Sequence, residues 1–188
     1  DIIMVGEIRD LETAEIAIQS ALTGHLMLST IHTNSASGAL PRFLSMGVKP
    51  FLLAPALNAI IGQRLVRRIC PKCVAEEKID AEKMKRVEEQ LNKLPEAEKN
   101  KIDFKNLKFY KGQGCEACSG LGYKGRIGIY EIFTMNKEIE EIILTGQTSE
   151  YAIEAIAVKN GMVTMVQDGL LKALNKVTTV DEVFRVIE

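Results

Sequence analysis

Short apolar runs alternate with helical segments at the start of the chain. Residues 2–5 form a continuous apolar run, typical of a strand buried on both faces of a parallel sheet, and residues 26–31 form a second strand candidate. Between them, residues 11–23 have a helical pattern, with Asp10 as a candidate N-cap and Gly24 just past the end. The alternation predicts an α/β fold with a parallel sheet and right-handed crossovers.

Two more helices are expected before the pattern changes. The first would begin at Ser35 or Ser37, and the second would run from Pro50 towards Arg64, because Leu, Ala and Ile dominate there. The apolar stretch at residues 51–62 is shorter than the roughly 20 residues that cross a bilayer. We therefore interpret it as part of a buried helix.

The middle of the chain is highly charged. Between residues 76 and 103, 16 of 28 residues are charged, and apolar residues recur there at helical spacing, which predicts an exposed amphipathic helix that ends before Pro95. Short strands are expected at residues 104–110 and 127–133. Further helices are expected at residues 137–144, 150–159, 165–175 and 180–187.

Composition narrows the class of protein. The 188 residues are 46% hydrophobic and 26% charged, so broad disorder is excluded, and the 5% of aromatic residues requires an aliphatic core. The net charge of −1 provides no global field that would attract nucleic acid or an anionic membrane. The chain shows no signal peptide and opens in the middle of an apolar run, so we expect it to be part of a longer protein.

Polar residues follow both strand candidates of the first segment. Glu7 comes directly after the first, and His32 comes after the second. Because ligands of α/β sheets lie beyond the carboxyl ends of the strands, Glu7 could hold a magnesium ion and His32 could donate to a γ-phosphate. The alternatives are an acid that faces solvent and a histidine that is satisfied within its own loop.

Four cysteines form two C-x2-C pairs: Cys70, Cys73, Cys115 and Cys118. Each pair can supply two thiolates from one tight turn, so the set predicts a structural zinc site with no open position for water. Unliganded cysteines or an iron–sulfur cluster are the alternatives. Beside the first pair, a basic patch of Arg64, Arg67, Arg68 and Lys72 indicates either a solvated helix face or an anion, nucleotide or nucleic-acid contact.

Joined in order, these motifs resemble one family, the secretion ATPases that drive type II secretion and type IV pilus assembly. The segment DIIMVGEIRDLETA at residues 1–14 resembles their Walker B segment, and GHLMLSTIHTN at 24–34 resembles their histidine box. QRLVRRICPKC at 63–73 and GCEAC at 114–118 resemble their tetracysteine element, and GYKGRIGIYE at 122–131 resembles the segment that follows it.

The resemblance implies a RecA-like P-loop NTPase core, with an inserted zinc subdomain and a small helical subdomain. The expected divisions are residues 1–69 for part of the core, 70–130 for the zinc subdomain with its charged insert, and 131–188 for the helical subdomain. The implied assembly is a homo-hexamer in the cytoplasm, peripheral to the inner membrane, that works with an inner-membrane platform. Tetracysteine elements are usual in assembly and export members, so we expect one of those roles.

The resemblance also implies roles for single residues. Glu7 would be the Walker B acid that orders magnesium and its water, His32 would contact the γ-phosphate of ATP, and His25 would support the same loop. We also expect Gly6 and Arg9 to contact the nucleotide. The sequence contains no G-x4-G-K-[ST] motif, so we expect this chain alone to be inactive as an ATPase.

A second hypothesis belongs to another class of protein. The cysteine pairs and the basic patch are compatible with a zinc-ribbon module that binds nucleic acid or a protein partner without catalysis. The balanced charge and the Walker B-like opening count against it. A third possibility, compatible with the first, is that the charged insert and the helical tail dock neighbouring subunits or a membrane partner.

Overall fold

The computed structural model describes residues 1–146 and 148–187. The chain divides into two compact units, and each is built from two separate stretches of sequence. Unit 1 comprises residues 1–62 and 132–162, and unit 2 comprises residues 63–131 and the described part of 163–188. The predicted division into residues 1–69, 70–130 and 131–188 remains a proposal about domains.

Unit 1 opens with a parallel strand pair. Strand β1 (Ile2–Met4) pairs with β2 (Leu26–Leu28), and helix α1 (Leu11–Leu22) connects them. Asp10 caps α1 as predicted, because its carboxylate accepts a hydrogen bond from the Thr13 backbone N–H at 2.8 Å.

The expectation that the first strand is buried on both faces was wrong. The side chains of Ile2 and Met4 are 68% and 76% exposed, because the sheet formed by β1 has two strands within the described residues. Gly24 follows α1 with φ +97°, the left-handed conformation that glycine supplies at helix ends.

Two short helices follow, α2 (Ala39–Ser45) and α3 (Pro50–Ala56), and then strand β3 (Ala59–Ile69). The prediction that the helix after Pro50 runs towards Arg64 was therefore wrong. A short apolar run does not by itself distinguish a buried helix from a strand. The β-branched residues that follow Asn58 favour the extended conformation.

Helices of the C-terminal half complete unit 1. Helices α6 (Lys137–Thr145) and α7 (Glu150–Lys159) match the predicted helices closely, and their buried faces join the core of α1, α2 and α3. The largest fully buried side chains of this core are Leu40, Leu53, Ile139, Ile143 and Ile153. As the composition indicated, the core is aliphatic.

Within its described residues, unit 2 contains an antiparallel strand pair, four α-helices and one short 3-10 helix, Glu116–Cys118. Strand β4 (Val74–Glu77) pairs antiparallel with β5 (Phe109–Gly112), which begins later than the strand predicted at 104–110. Strand β6 (Tyr123–Thr134) neighbours β3 in the third sheet. The helices are α4 (Ala81–Asn92), α5 (Glu96–Lys99), α8 (Met165–Leu174) and α9 (Val180–Ile187).

Helix α4 is amphipathic, as predicted, but it is not an exposed helix throughout. Val87 and Leu91 are fully buried and belong to one apolar cluster with Leu170 and Val183 of α8 and α9. The charged residues of α4 form the opposite, solvated face. The charged segment is therefore integrated into the core of unit 2.

Candidate functional site

The carboxyl ends of β1 and β2 bring the predicted residues of the first motif together. Strand-like hydrogen bonds continue past both strands, from the Val5 N–H to the Leu28 carbonyl and from the Ile8 N–H to the Thr30 carbonyl, each at 2.9 Å. The Thr30 hydroxyl donates to the Gly6 carbonyl at 2.7 Å. These bonds hold residues 5–8 alongside residues 28–30.

Glu7 lies at the centre of a three-residue cluster. One carboxylate oxygen is 3.1 Å from His32 Nε2, and the other is 2.6 Å from an Arg9 guanidinium nitrogen. The Glu7 side chain is 22% exposed, whereas the His32 side chain is 87% exposed and the Arg9 side chain 75%. The hydrogen bond from Arg9 is the largest influence on the pKa of Glu7 and holds it below its ordinary value, so the carboxyl is ionised at neutral pH.

The cluster is suited to binding a hydrated cation and an anion side by side. A half-buried carboxylate is the hard oxygen ligand that magnesium prefers, and both of its current partners are exposed side chains on short loops. His32 and Arg9 can donate to a phosphate from the same edge of the sheet. The predicted proximity of Glu7 and His32 is therefore present in the structure, and Arg9 joins them.

His25 lies at the opposite end of β2 from His32. Its Nδ1 is 3.2 Å from the Ser20 carbonyl and 3.3 Å from the Thr23 hydroxyl, both at the C-terminal end of α1. The contacts of His25 thus fix the turn between α1 and β2, and the described residues give it no contact with the His32 loop. A catalytic role for His25 stays a prediction without support from this geometry.

The loop after His32 is anchored by contacts that the sequence did not indicate, although Ser35 was a candidate start of the next helix. The Ser35 hydroxyl donates to the Glu150 carboxylate at 2.5 Å and accepts from the Gly38 N–H at 3.0 Å. The Thr33 hydroxyl donates to the Ser35 carbonyl at 2.8 Å. Glu150 begins helix α7 and lies 115 residues from Ser35, so no local pattern could have paired them.

The four cysteines converge as predicted. Their Sγ atoms all lie within 4.8 Å of one another. The separation is 3.9 Å for Cys70–Cys115 and for Cys73–Cys118, and 3.7 Å for Cys115–Cys118. Four sulfurs placed about 2.3 Å from a tetrahedral metal ion would be separated by roughly 3.8 Å, so this arrangement could hold such an ion.

Backbone groups prepare one sulfur for metal binding. The Cys118 sulfur accepts hydrogen bonds from the N–H groups of Cys115 at 3.2 Å and Gly122 at 3.3 Å. The bond from Cys115 is the largest influence that lowers the pKa of Cys118 to about 6, whereas burial raises the pKa of Cys73 to about 12. Cys118 is therefore the more acidic of the two thiols whose pKa is shifted. The two backbone N–H groups can also donate to its thiolate.

Two glycines allow the chain to close around the cysteines. A Cβ placed on Gly112 would lie 1.9 Å from the Gly122 carbonyl oxygen, and one on Gly122 would lie 2.5 Å from the Gly112 carbonyl oxygen. Gly122 also has φ +75°. The backbones on either side of the second cysteine pair therefore touch at a distance that only glycine permits.

Comparison with known proteins decides the family. The family model for type II/IV secretion system proteins matches residues 1–185 of the chain. The chain belongs to this family. Its relatives include a protein named type IV pilus assembly ATPase PilB from Thermus thermophilus, with 48% identity over the whole chain. The type II secretion system protein E of Aeromonas hydrophila is 40% identical over 99% of the chain.

The chain spans only part of these relatives, 20% of the Thermus protein and 34% of the Aeromonas protein. Among solved structures, it resembles the Legionella pneumophila ATPase DotB, with a TM-score of 0.61 and 18% identity, covering 98% of this chain and 37% of that one. The pilus retraction motor PilT with bound ADP gives a TM-score of 0.59 at 22% identity, covering 98% and 39%.

These likenesses confirm the predicted α/β fold class, and the four cysteines cluster as a possible metal site. None of the helices in residues 1–146 and 148–187 is both long enough and apolar enough to cross a membrane. The sequence identity of more than 40% to a pilus assembly ATPase gives the expected family independent support.

Proposed function

We propose that this chain forms part of the catalytic core of an ATPase that powers type IV pilus assembly or type II protein secretion. The observation that carries the proposal is the Glu7–His32 pair at the carboxyl ends of two parallel strands, in a chain of the secretion family. The chemistry would require the longer protein, because the 188 residues contain no phosphate-binding P-loop motif.

Each residue of the cluster has a defined task in this proposal. Glu7 would hold a magnesium ion through its waters and would orient the attacking water, and the ion would supply positive charge that neutralises the phosphates. His32 donates from Nε2 towards the γ-phosphate. Arg9 would exchange its contact with Glu7 for phosphate oxygens, which accept hydrogen bonds from the planar fork of a guanidinium. Gly6 keeps its carbonyl bonded to Thr30 and so sets the backbone that aims Glu7.

The test is ATP turnover by the full-length protein that carries this sequence. Glu7→Gln should lower kcat by roughly 100-fold or more, because the amide can neither accept a proton nor balance the ion's charge. Nucleotide affinity should change little. Glu15→Gln, an exposed residue on α1, is the matched control and should keep normal turnover. Normal turnover by Glu7→Gln would refute the role of Glu7.

The two histidines can be separated in the same assay. His32→Ala should lower kcat, because it removes the donor beside Glu7. His25→Ala should act mainly through stability, because the contacts of His25 lie on α1 and the turn that follows. If His25→Ala lowers kcat as much as His32→Ala while the melting temperature is unchanged, a catalytic role for His25 would be supported.

We further propose that the tetracysteine site holds a structural zinc ion. Three sulfur separations of 3.7 to 3.9 Å, a spread of at most 4.8 Å among all four sulfurs and an all-thiolate donor set support zinc. Four protein ligands leave no position for a reacting water. Elemental analysis should give one zinc per chain. Cys118→Ser should lose it, whereas Ser119→Ala, one residue further along, should retain it. Iron with sulfide in equal amounts would instead indicate a cluster.

The assembly and location also belong to the proposal. We propose, as the resemblance to the secretion ATPases implies, a homo-hexamer at the cytoplasmic face of the inner membrane that acts on an inner-membrane platform. The relatives named as a type IV pilus assembly ATPase and a type II secretion system protein support a role in such a system. Light scattering of the full-length protein with nucleotide should give the mass of six chains. A zinc-ribbon module that acts without catalysis is the lesser candidate, because the family model covers the Walker B-like opening together with the cysteine pairs.

A further inference from the structure

Two motifs that the proposed function leaves unused meet in unit 2. The three arginines of the basic patch lie on β3, and the segment GYKGRIGIYE lies largely on β6. Together with the end of α9 they line an open cavity of about 400 Å³ at the surface of unit 2. Its lining consists of Leu65, Arg67, Arg126, Arg185 and Val186.

The cavity carries an excess of positive charge. Three of its five lining residues are arginines. Two of these arginines pair with Glu182, whose side chain is only 2% exposed. Arg67 and Arg185 both bond to this carboxylate, while Arg126 is exposed and has no ion-pair partner among the described residues. Three guanidinium groups and one carboxylate leave a net charge of +2 around the cavity.

The buried carboxylate also orients the two arginines that it contacts. Arg185 donates to Glu182 from Nε and from one terminal nitrogen, each at 2.9 Å, and Arg67 donates from Nε at 2.8 Å and from a terminal nitrogen. The Arg67 guanidinium also stacks over the Tyr123 ring, 4.5 Å from its centroid. Both arginine side chains remain about half exposed, at 48% and 58%, so their other N–H groups face solvent.

We infer that this cavity binds a phosphoryl-group anion between Arg126 and the preorganised pair Arg67 and Arg185. A phosphate group carries a charge near −2 at neutral pH, which balances the excess of the cavity, and its oxygens suit the planar fork of arginine. Fixing two of the three donors in advance removes part of the entropy cost of binding. The Leu65 and Val186 side chains would pack against whatever carries the phosphoryl group. The inference does not depend on the ATPase proposal.

Calorimetric titration of the zinc-loaded 188-residue chain with pyrophosphate tests the inference, with ADP in a second arm. The variant is Arg126→Ala, which leaves the Glu182 contacts intact. The control is Arg68→Ala, which removes the same charge. Arg68 is exposed, belongs to β3 and does not line the cavity. Arg126→Ala should weaken pyrophosphate binding by roughly tenfold or more, because it removes a charge-assisted bond, and Arg68→Ala by less than about twofold.

The outcomes separate a built site from general charge attraction. A loss of pyrophosphate affinity in Arg126→Ala but not in Arg68→Ala supports the site. Equal weakening of pyrophosphate binding in both variants overturns it, and so does the absence of pyrophosphate binding by the parent chain. If ADP binds tenfold more tightly than pyrophosphate and shows the same loss in Arg126→Ala, the phosphoryl group is that of a nucleotide. Equal affinity for the two ligands identifies the phosphoryl group alone as the ligand.

Discussion

Substitution of Glu182 by Gln is the most informative perturbation of unit 2. Glu182 sits almost fully buried in the first turn of α9 and accepts hydrogen bonds from the backbone N–H of Arg67 at 3.1 Å and from the side chains of Arg67 and Arg185. Burial opposes ionisation of this carboxyl, but the bonds from Arg185 and Arg67 outweigh it and lower its pKa from 4.5 to about 2. The folded state therefore strongly favours the charged form.

The size of the effect follows from that pKa. A carboxyl with a pKa lowered from 4.5 to about 2 gains about 3 kcal/mol of folding free energy when ionised, since each tenfold change is worth about 1.4 kcal/mol. Breaking a buried ion pair costs about 3–5 kcal/mol, and the half-exposed arginines place this one at or below the lower end. Gln retains one acceptor oxygen, so we expect Glu182→Gln to cost about 2–3 kcal/mol at pH 7.

Urea unfolding followed by tyrosine fluorescence measures this cost. The chain has no tryptophan, and three of its four tyrosines, Tyr110, Tyr123 and Tyr130, belong to unit 2, so the signal reports mainly on that unit. Glu88→Gln, an exposed residue on α4, is the control and should change the midpoint little.

The pH dependence gives an independent check. Because the folded pKa is depressed, the stabilisation is complete above about pH 4.5 and is lost as the pH falls towards 2. The difference between parent and Glu182→Gln should shrink across that window. A cost below about 0.5 kcal/mol at pH 7, or a difference that stays constant down to pH 2, would refute the reasoning.

Three further substitutions test the fold locally. Gly112→Ala should abolish stoichiometric zinc uptake, because its Cβ would overlap the Gly122 carbonyl, whereas Gly6→Ala, with open space around it, should retain zinc; uptake by both would contradict this close approach. Asn136→Ala removes the side chain that caps α6 at Ile139 and should cost about 1 kcal/mol in urea unfolding; no change would show that the cap is dispensable. Leu91→Ala should cost about 2–5 kcal/mol in the same assay, and a cost near zero would mean that α4 does not pack on the core.

Local chemistry in the sequence predicted the helices well. Helix α1 begins after Asp10 as expected, and α7 and α9 have the predicted bounds, because caps and apolar periodicity act over a few residues. Strand β3 was mistaken for a helix because an apolar run of that length fits either element. The extended conformation of β3 depends on its pairing with β6, which begins more than 50 residues later in the sequence.

The candidate site was predictable as far as topology alone determines it. Two parallel strands place the residues that follow them at one edge of the sheet, so the proximity of Glu7 and His32 could be predicted from the sequence. The long-range hydrogen-bond partners that hold the neighbouring segments in place could not be predicted in this way. Ser35 donates to Glu150, and Arg67 donates to Glu182, each across 115 residues of sequence. No local sequence pattern marks either acid as the partner of these residues.

The contacts of β3 connect the cysteine cluster to the C-terminal helix within unit 2. Arg67, three residues before Cys70, bonds to Glu182 of α9, and its carbonyl accepts from the Thr178 hydroxyl at 2.8 Å. The Ile69 N–H donates to the Val177 carbonyl, and the Cys70 N–H donates to the Gly122 carbonyl, each at 2.9 Å.

The C-terminal segment thus holds Arg67 and Ile69, and the second cysteine turn holds the adjacent Cys70. An ion bound by the four sulfurs stabilises only the conformation in which both sets of bonds are made, so its binding free energy adds to the stability of α9 as well as of the cysteine turns. By the same linkage, α9 and Glu182 contribute to metal affinity without touching the metal. The tetracysteine site and the C-terminal helix are therefore better understood as one folding unit than as two modules joined by a linker.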